Sequence, residues 1–186
     1  MKKQAWLILC LIALVAGFAL AATNLVTAGP IEQQRILAIE AARKAVFPEA
    51  TSFEELAIDE DTGLDSLCIA TSDTEVLGSI LQTTVSGYAG PIQIILGIDP
   101  SGSITGLTVG GSKFAETAGL GTRVKEPAFT NQFVGLSEMP TPNGNVDTIS
   151  GATISSSAVI DGIILCYQQW EALNETALPS AAADPN

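Results

Sequence analysis

Residues Ala5–Ala22 form 18 consecutive positions without a charge, directly behind Lys2 and Lys3. As an α-helix this run is about 27 Å long, close to the hydrocarbon thickness of a bilayer. Leu25 and Val26 can extend it. A chain that opens this way is held in, or passed through, a membrane. The lysines at its front predict a cytoplasmic N-terminus with the remainder outside. Two readings stay open: an uncleaved anchor, and a cleavable signal peptide whose Ala19-Leu20-Ala21 supplies an A-x-A site. Both export the rest of the chain. The expected division is an anchor over 1–26, a domain over 27–171, and a disordered Ala/Pro/Asn/Asp tail over 172–186.

Composition then removes whole classes of function. The 186 residues carry 20 acidic against eight basic side chains, a net charge of −12, so no basic face can be assembled for nucleic acid. There is no histidine, which excludes Ser-His-Asp and Cys-His catalysis and the commonest metal ligand. Cys10, Cys68 and Cys166 show no CxxC spacing, so neither zinc nor an iron–sulfur cluster is expected. Cys68 and Cys166 are expected to be buried free thiols. Redox chemistry on such a chain needs an organic cofactor.

Thr27-Ala28-Gly29-Pro30 is expected to break the first helix, with a second, amphipathic helix over 31–47 ended by Pro48. The acidic stretch 52–65 reads as loop. From residue 66 the period changes. Leu67–Ala70, Val76–Val85, Ile92–Ile98 and Ile104–Val109 are strand candidates, the last two joined by the turn Asp99-Pro100-Ser101-Gly102. Hairpins followed by a late helix predict an α+β domain with an antiparallel-rich sheet and flanking helices, behind one N-terminal transmembrane helix.

The late helix begins at Asp147-Thr148-Ile149-Ser150-Gly151-Ala152-Thr153-Ile154-Ser155-Ser156. Val159, Ile160, Ile163, Ile164 and Tyr167 follow at helical spacing, which puts the hydroxyl cluster where N-cap residues belong. A helix N-terminus suits an anion, and Gly151 and Ala152 leave room for a bulky group. These features alone leave two readings: an ordinary Ser/Thr cap, and an anion site.

Three stretches in order carry a resemblance. Asp147 followed by Ser150-Gly151-Ala152-Thr153 resembles the flavinylation motif of the FMN-binding domain family. Gly87-Tyr88-Ala89-Gly90-Pro91-Ile92 resembles its Gly-Tyr-x-Gly-Pro-Ile stretch. Glu116-Thr117-Ala118-Gly119-Leu120-Gly121 matches its Glu-Thr-Pro-Gly-Leu-Gly pattern at every position but Ala118. Phe114 stands where family members commonly have a histidine, which puts any role of that histidine in doubt here. Within the family the chain is most similar to the G subunit of Rnf ion-translocating electron-transport complexes, which are related to the sodium-pumping NADH:quinone reductase through its C subunit.

The resemblance implies FMN joined by a phosphoester to Thr153, a phosphoryl threonine. It implies that Asp147, Ser150, Gly151, Ala152 and Ser155 belong to the recognition and fit of that site. Glu116, Thr117, Gly119 and Leu120 are implied neighbours of the flavin ring. It further implies a flavin transferase that uses FAD and Mg²⁺, partners among membrane and iron–sulfur subunits, lipid around the anchor, and a place in the bacterial inner membrane. The implied work is electron transfer inside a ferredoxin:NAD oxidoreductase complex, with no catalytic residue and no metal in this chain. Two alternatives remain: a quinone-reductase C-type subunit or another extracytoplasmic reductase, and an exported scaffold without cofactor.

Overall fold

A computed structural model describes residues 2–73 and 75–177. The chain divides into two units, Met1–Glu40 and Ala41–Asn186.

The first unit is helical. Helix α1 spans Lys2–Val46 and carries Pro30 inside it, so the expected break at 27–30 does not occur. Proline removes one N–H from the ladder; the bonds on either side of it continue. Trp6, Leu9, Leu14, Phe18 and Leu25 are all exposed, so the apolar surface faces outward on every side. Thr23 and Thr27 hide their hydroxyls by donating to the carbonyls of Ala19 and Thr23, at 2.8 and 2.9 Å. By length and composition this helix can cross a membrane.

The second unit is built on five strands: β1 (Ser52–Leu56), β2 (Ser66–Ser72), β3 (Glu75–Ser86), β4 (Pro91–Ile98) and β5 (Ile104–Gly110). They pair antiparallel in the order β1-β2-β3-β4-β5, so every strand lies beside its neighbour in sequence. β1 corrects the expectation of loop over 52–65. Its sequence Ser-Phe-Glu-Glu-Leu lacks apolar alternation because it is a mostly exposed edge strand, held by its ladder to β2.

The two-residue period sets two cores. Leu67, Leu81 and Leu96 stand opposite one another across β2, β3 and β4, and face helix α3 (Thr153–Ala177). Val159, Ile160, Ile163 and Tyr167 come from α3 to meet them, as its spacing predicts. Gly162 lets the helix come close: a Cβ there would lie 2.4 Å from Ile94 Cδ1. The alternate residues Cys68, Ala70 and Ile80 face the other way and pack with Val46, Phe47 and Ala50. Cys68 and Cys166 therefore sit in separate cores on opposite faces of the sheet. Both are buried and free.

α3 continues to Ala177, so the helix takes up the first part of the stretch expected to be tail. The rest of that expectation, over 178–186, lies outside the described residues. The hairpin turn after β4 is tied by Asp99 Oδ1, which accepts from Ser101 N, Ser101 Oγ and Ser103 N at 2.8, 2.6 and 3.0 Å. Tyr167 reaches from α3 to this turn and to the 137 loop, its hydroxyl 3.1 Å from Gly102 O and 3.0 Å from Ser137 O.

Candidate functional site

The site lies where α3 begins. Ala152 occupies the position before the first helical residue and has no side chain able to cap it. The expected Ser/Thr cap is therefore not what starts this helix. Ser156 works from inside the first turn: its buried Oγ accepts from Ile149 N at 3.1 Å and stands 3.0 Å from Ala152 O. Gly151 turns the chain at φ +81°, a conformation that side chains resist. The loop 149–152 is thus folded back upon the helix it precedes.

This leaves the helix start open. Among the described residues, the backbone N–H groups of Thr153, Ile154 and Ser155 have no acceptor, and the Thr153 hydroxyl has no partner. Unpaired N–H groups at the positive end of a helix dipole attract an anion.

Thr153 borders a cavity of about 530 Å³, a volume ordinary for a cofactor pocket. The turn after β3 contributes Tyr88. The loop after β5 contributes Glu116, Thr117, Leu120 and Gly121, and the helix start contributes Gly151 to Ser155. Three rim side chains, Tyr88, Leu120 and Ile154, are apolar surfaces left 69%, 46% and 59% exposed. Among the described residues, no lysine or arginine lines the wall. Such a cavity suits a ligand with a flat apolar body and an anionic end that meets the helix start.

Glu116 joins the three segments. Its Oε1 accepts from Ala89 N at 3.0 Å, and its Oε2 accepts from Ser155 Oγ at 2.7 Å. Glu116 is 7% exposed and Ser155 2%. A Cβ on Gly87 would fall 2.3 Å from Oε1, and one on Gly121 would fall 2.3 Å from Oε2. Gly121 thus leaves room for a carboxylate. It sits in a 3-10 turn, Gly121–Lys125, whereas Gly119 has the positive φ, +75°.

Of the residues the sequence singles out, Thr153, Gly151, Ala152, Ser155, Glu116, Thr117 and Leu120 meet at this cavity. Gly119 is exposed and outside its lining. Asp147 and Ser150 line a neighbouring hollow of about 240 Å³, together with Arg123 and Gln132. The Gln132 amide holds Asp147 at both backbone groups, accepting from its N at 2.7 Å and donating to its O at 3.1 Å. Tyr88, Gly121 and Ile154 are lining residues that the sequence did not single out as site residues. The signal for Tyr88 was present in its glycine-flanked stretch. Phe114, at the position of the family histidine, lies under Lys125, whose Nζ is 4.4 Å from the ring centroid.

Comparison with known proteins bears on this geometry. Residues 87–168, which contain all three segments, match the FMN-binding domain model. The chain is 35% identical over 192 residues to the G subunit of the Na⁺-translocating ferredoxin:NAD⁺ oxidoreductase complex of Acetobacterium woodii, covering 91% of each chain. It is 35% identical over 162 residues to the G subunit of the ion-translocating oxidoreductase complex of Methanosarcina acetivorans, covering 82% of this chain and 85% of that one. Among solved structures it is similar to the C subunit of the Na⁺-translocating NADH-quinone reductase of Parabacteroides distasonis, with a TM-score of 0.49 and 24% identity. That match covers 61% of this chain and 64%, a little under two thirds, of the other. With an FMN-binding domain across its site and relatives that align along nearly its whole length, the chain belongs to the G-subunit family of ion-translocating oxidoreductase complexes.

Proposed function

We propose that this chain is a flavin electron relay of an Rnf-type ferredoxin:NAD oxidoreductase complex, with FMN joined through a phosphoester to Thr153. The observation that carries the covalent part is the Thr153 hydroxyl: exposed, unpartnered among the described residues, and set at an open helix N-terminus on the cavity wall. When bound, FMN supplies the redox chemistry, taking up and releasing electrons at its ring system. The chain's own residues do the rest. The N–H groups of Thr153, Ile154 and Ser155 would hold the phosphoryl oxygens. Tyr88, Leu120 and Ile154 would offer their exposed side chains as apolar surface for the ring system.

Attachment exchanges one phosphate bond for another. Thr153 Oγ bonds to the phosphorus of the FMN half of FAD, and the bond to the AMP half breaks. AMP leaves, and the hydroxyl proton passes to a base of the Mg²⁺-dependent flavin transferase. A permanent link suits a domain outside the cytoplasm, where a dissociated cofactor would be lost. The N-terminal helix serves as the anchor, with Lys2 and Lys3 inside and the sheet domain on the outer face. The other subunits of the complex are the electron partners.

The test co-expresses the full chain with a flavin transferase in an exporting host, with Thr153→Ala alongside. Flavin fluorescence in the denatured wild-type band, and none in the variant, is the expected result. A dark wild-type band beside a labelled control substrate would remove the covalent link. Colour that persists natively but is lost on denaturation would leave a dissociable flavin.

A further inference from the structure

Glu116 looks from sequence like a neighbour of the ring, but both of its carboxylate oxygens are engaged within the protein. The 2.7 Å contact with Ser155 is the short bond a carboxylate makes with a hydroxyl. Its partners are distant in sequence, 27 residues back to Ala89 and 39 forward to Ser155. Gly87 and Gly121 flank the carboxylate so closely that a Cβ on either would force the Glu116 side chain to shift. The fold thus reserves a slot for this side chain between two otherwise separate walls of the cavity.

We propose that Glu116 is a positioning residue that latches the first turn of α3 to the Gly87–Gly90 turn, and so sets Thr153 in place before any flavin arrives. Ser155 is two residues from Thr153 in the same turn. Fixing its side chain fixes the direction in which the acceptor hydroxyl and the free N–H groups face. Ala89 is next to Tyr88, so the same carboxylate also sets the opposite rim. The inference rests on Thr153 being the acceptor, and it adds the residue that orients it.

Three variants separate orientation from charge and from folding. Glu116→Gln keeps both bonds: its carbonyl oxygen accepts from Ala89 N, and its NH₂ donates to Ser155 Oγ. Glu116→Ala loses both, and Ser155→Ala loses one. In the full chain co-expressed with the transferase, we expect flavin loading per chain to fall about tenfold or more in Glu116→Ala, the scale for a displaced reacting group. Ser155→Ala should fall in between, and Glu116→Gln should stay near wild type.

A second readout needs no flavin. In the unloaded Thr153→Val background, hydrogen exchange at the Ala89 amide should quicken about tenfold in Glu116→Ala and stay unchanged in Glu116→Gln, the scale of one lost hydrogen bond. Equal loading in Glu116→Ala and wild type would overturn the proposal, as would a Glu116→Gln protein as poorly loaded as Glu116→Ala. If Glu116→Ala does not fold, the contrast between Glu116→Gln and Ser155→Ala decides the question. A dark wild type would refute the acceptor assignment, while the exchange readout would still test the latch.

Discussion

Ser156 Oγ lies 3.1 Å from the amide of Ile149, seven residues earlier, and this bond closes the loop that presents Thr153. The hydroxyl is fully buried, so water cannot replace it. Ser156→Ala leaves the Ile149 N–H without an acceptor and should cost about 1–3 kcal/mol, the range for a buried unsatisfied polar group. Chemical unfolding of the unloaded chain checks this through a lower midpoint at unchanged slope. An unshifted midpoint would mean that the loop does not depend on the bond.

Thr153 itself should behave in the opposite way. Its side chain is exposed and makes no hydrogen bond among the described residues, so its replacement costs little stability. Thr153→Ser should keep covalent flavin, because the hydroxyl remains. Thr153→Val, similar in shape, should carry none while unfolding within about 0.5 kcal/mol of wild type. Fluorescence of denatured bands and an unfolding curve on the same samples give both answers.

Tyr167 provides a pH-dependent test. Burial raises its phenol above the ordinary value, and the carboxylates of Glu171, Asp99 and Glu138 add to that shift. The folded state thus holds the proton more tightly than the unfolded one. The resulting stability is complete below the ordinary tyrosine pKa and is lost as pH rises through the higher folded value. Between about pH 9 and 11 the wild-type midpoint should fall more steeply than that of Tyr167→Phe. At neutral pH, Tyr167→Phe should be less stable by about 0.5–1.5 kcal/mol, for the lost bond to the Gly102 and Ser137 carbonyls.

The cysteines allow a simple check of the two cores. Burial pushes the Cys166 thiol up to about 12, with Asp65 adding to the effect. Burial raises Cys68 as well, against the pull of Arg43. Neither should react with a thiol reagent at pH 8 until the domain unfolds, and both should then react under non-reducing conditions. Early labelling of either one would contradict the packing described above.

How much of this was readable beforehand differs by element. Strands β2 to β5 and the buried face of α3 were legible because each presents apolar residues at its own period to a core. β1 was not, since its place comes from backbone bonds to β2 and its side chains carry no pattern. Pro30 misled because proline is a strong local signal, yet it costs a long helix a single bond. Thr153 and its loop were legible as a motif. The role of Glu116 was not, because its partners are 27 and 39 residues away and only the folded chain brings them to one carboxylate.

The order of the sheet also sets a timetable. Each strand pairs with the one made just before it, so the meander can assemble strand by strand as the chain emerges, with little loop closure to wait for. α3 is the last described element, so it follows the whole sheet in the chain. Thr153, at its first position, is therefore made only after the residues of all five strands. On the reading proposed above, flavin would join a residue that the chain makes after every strand that shapes its cavity.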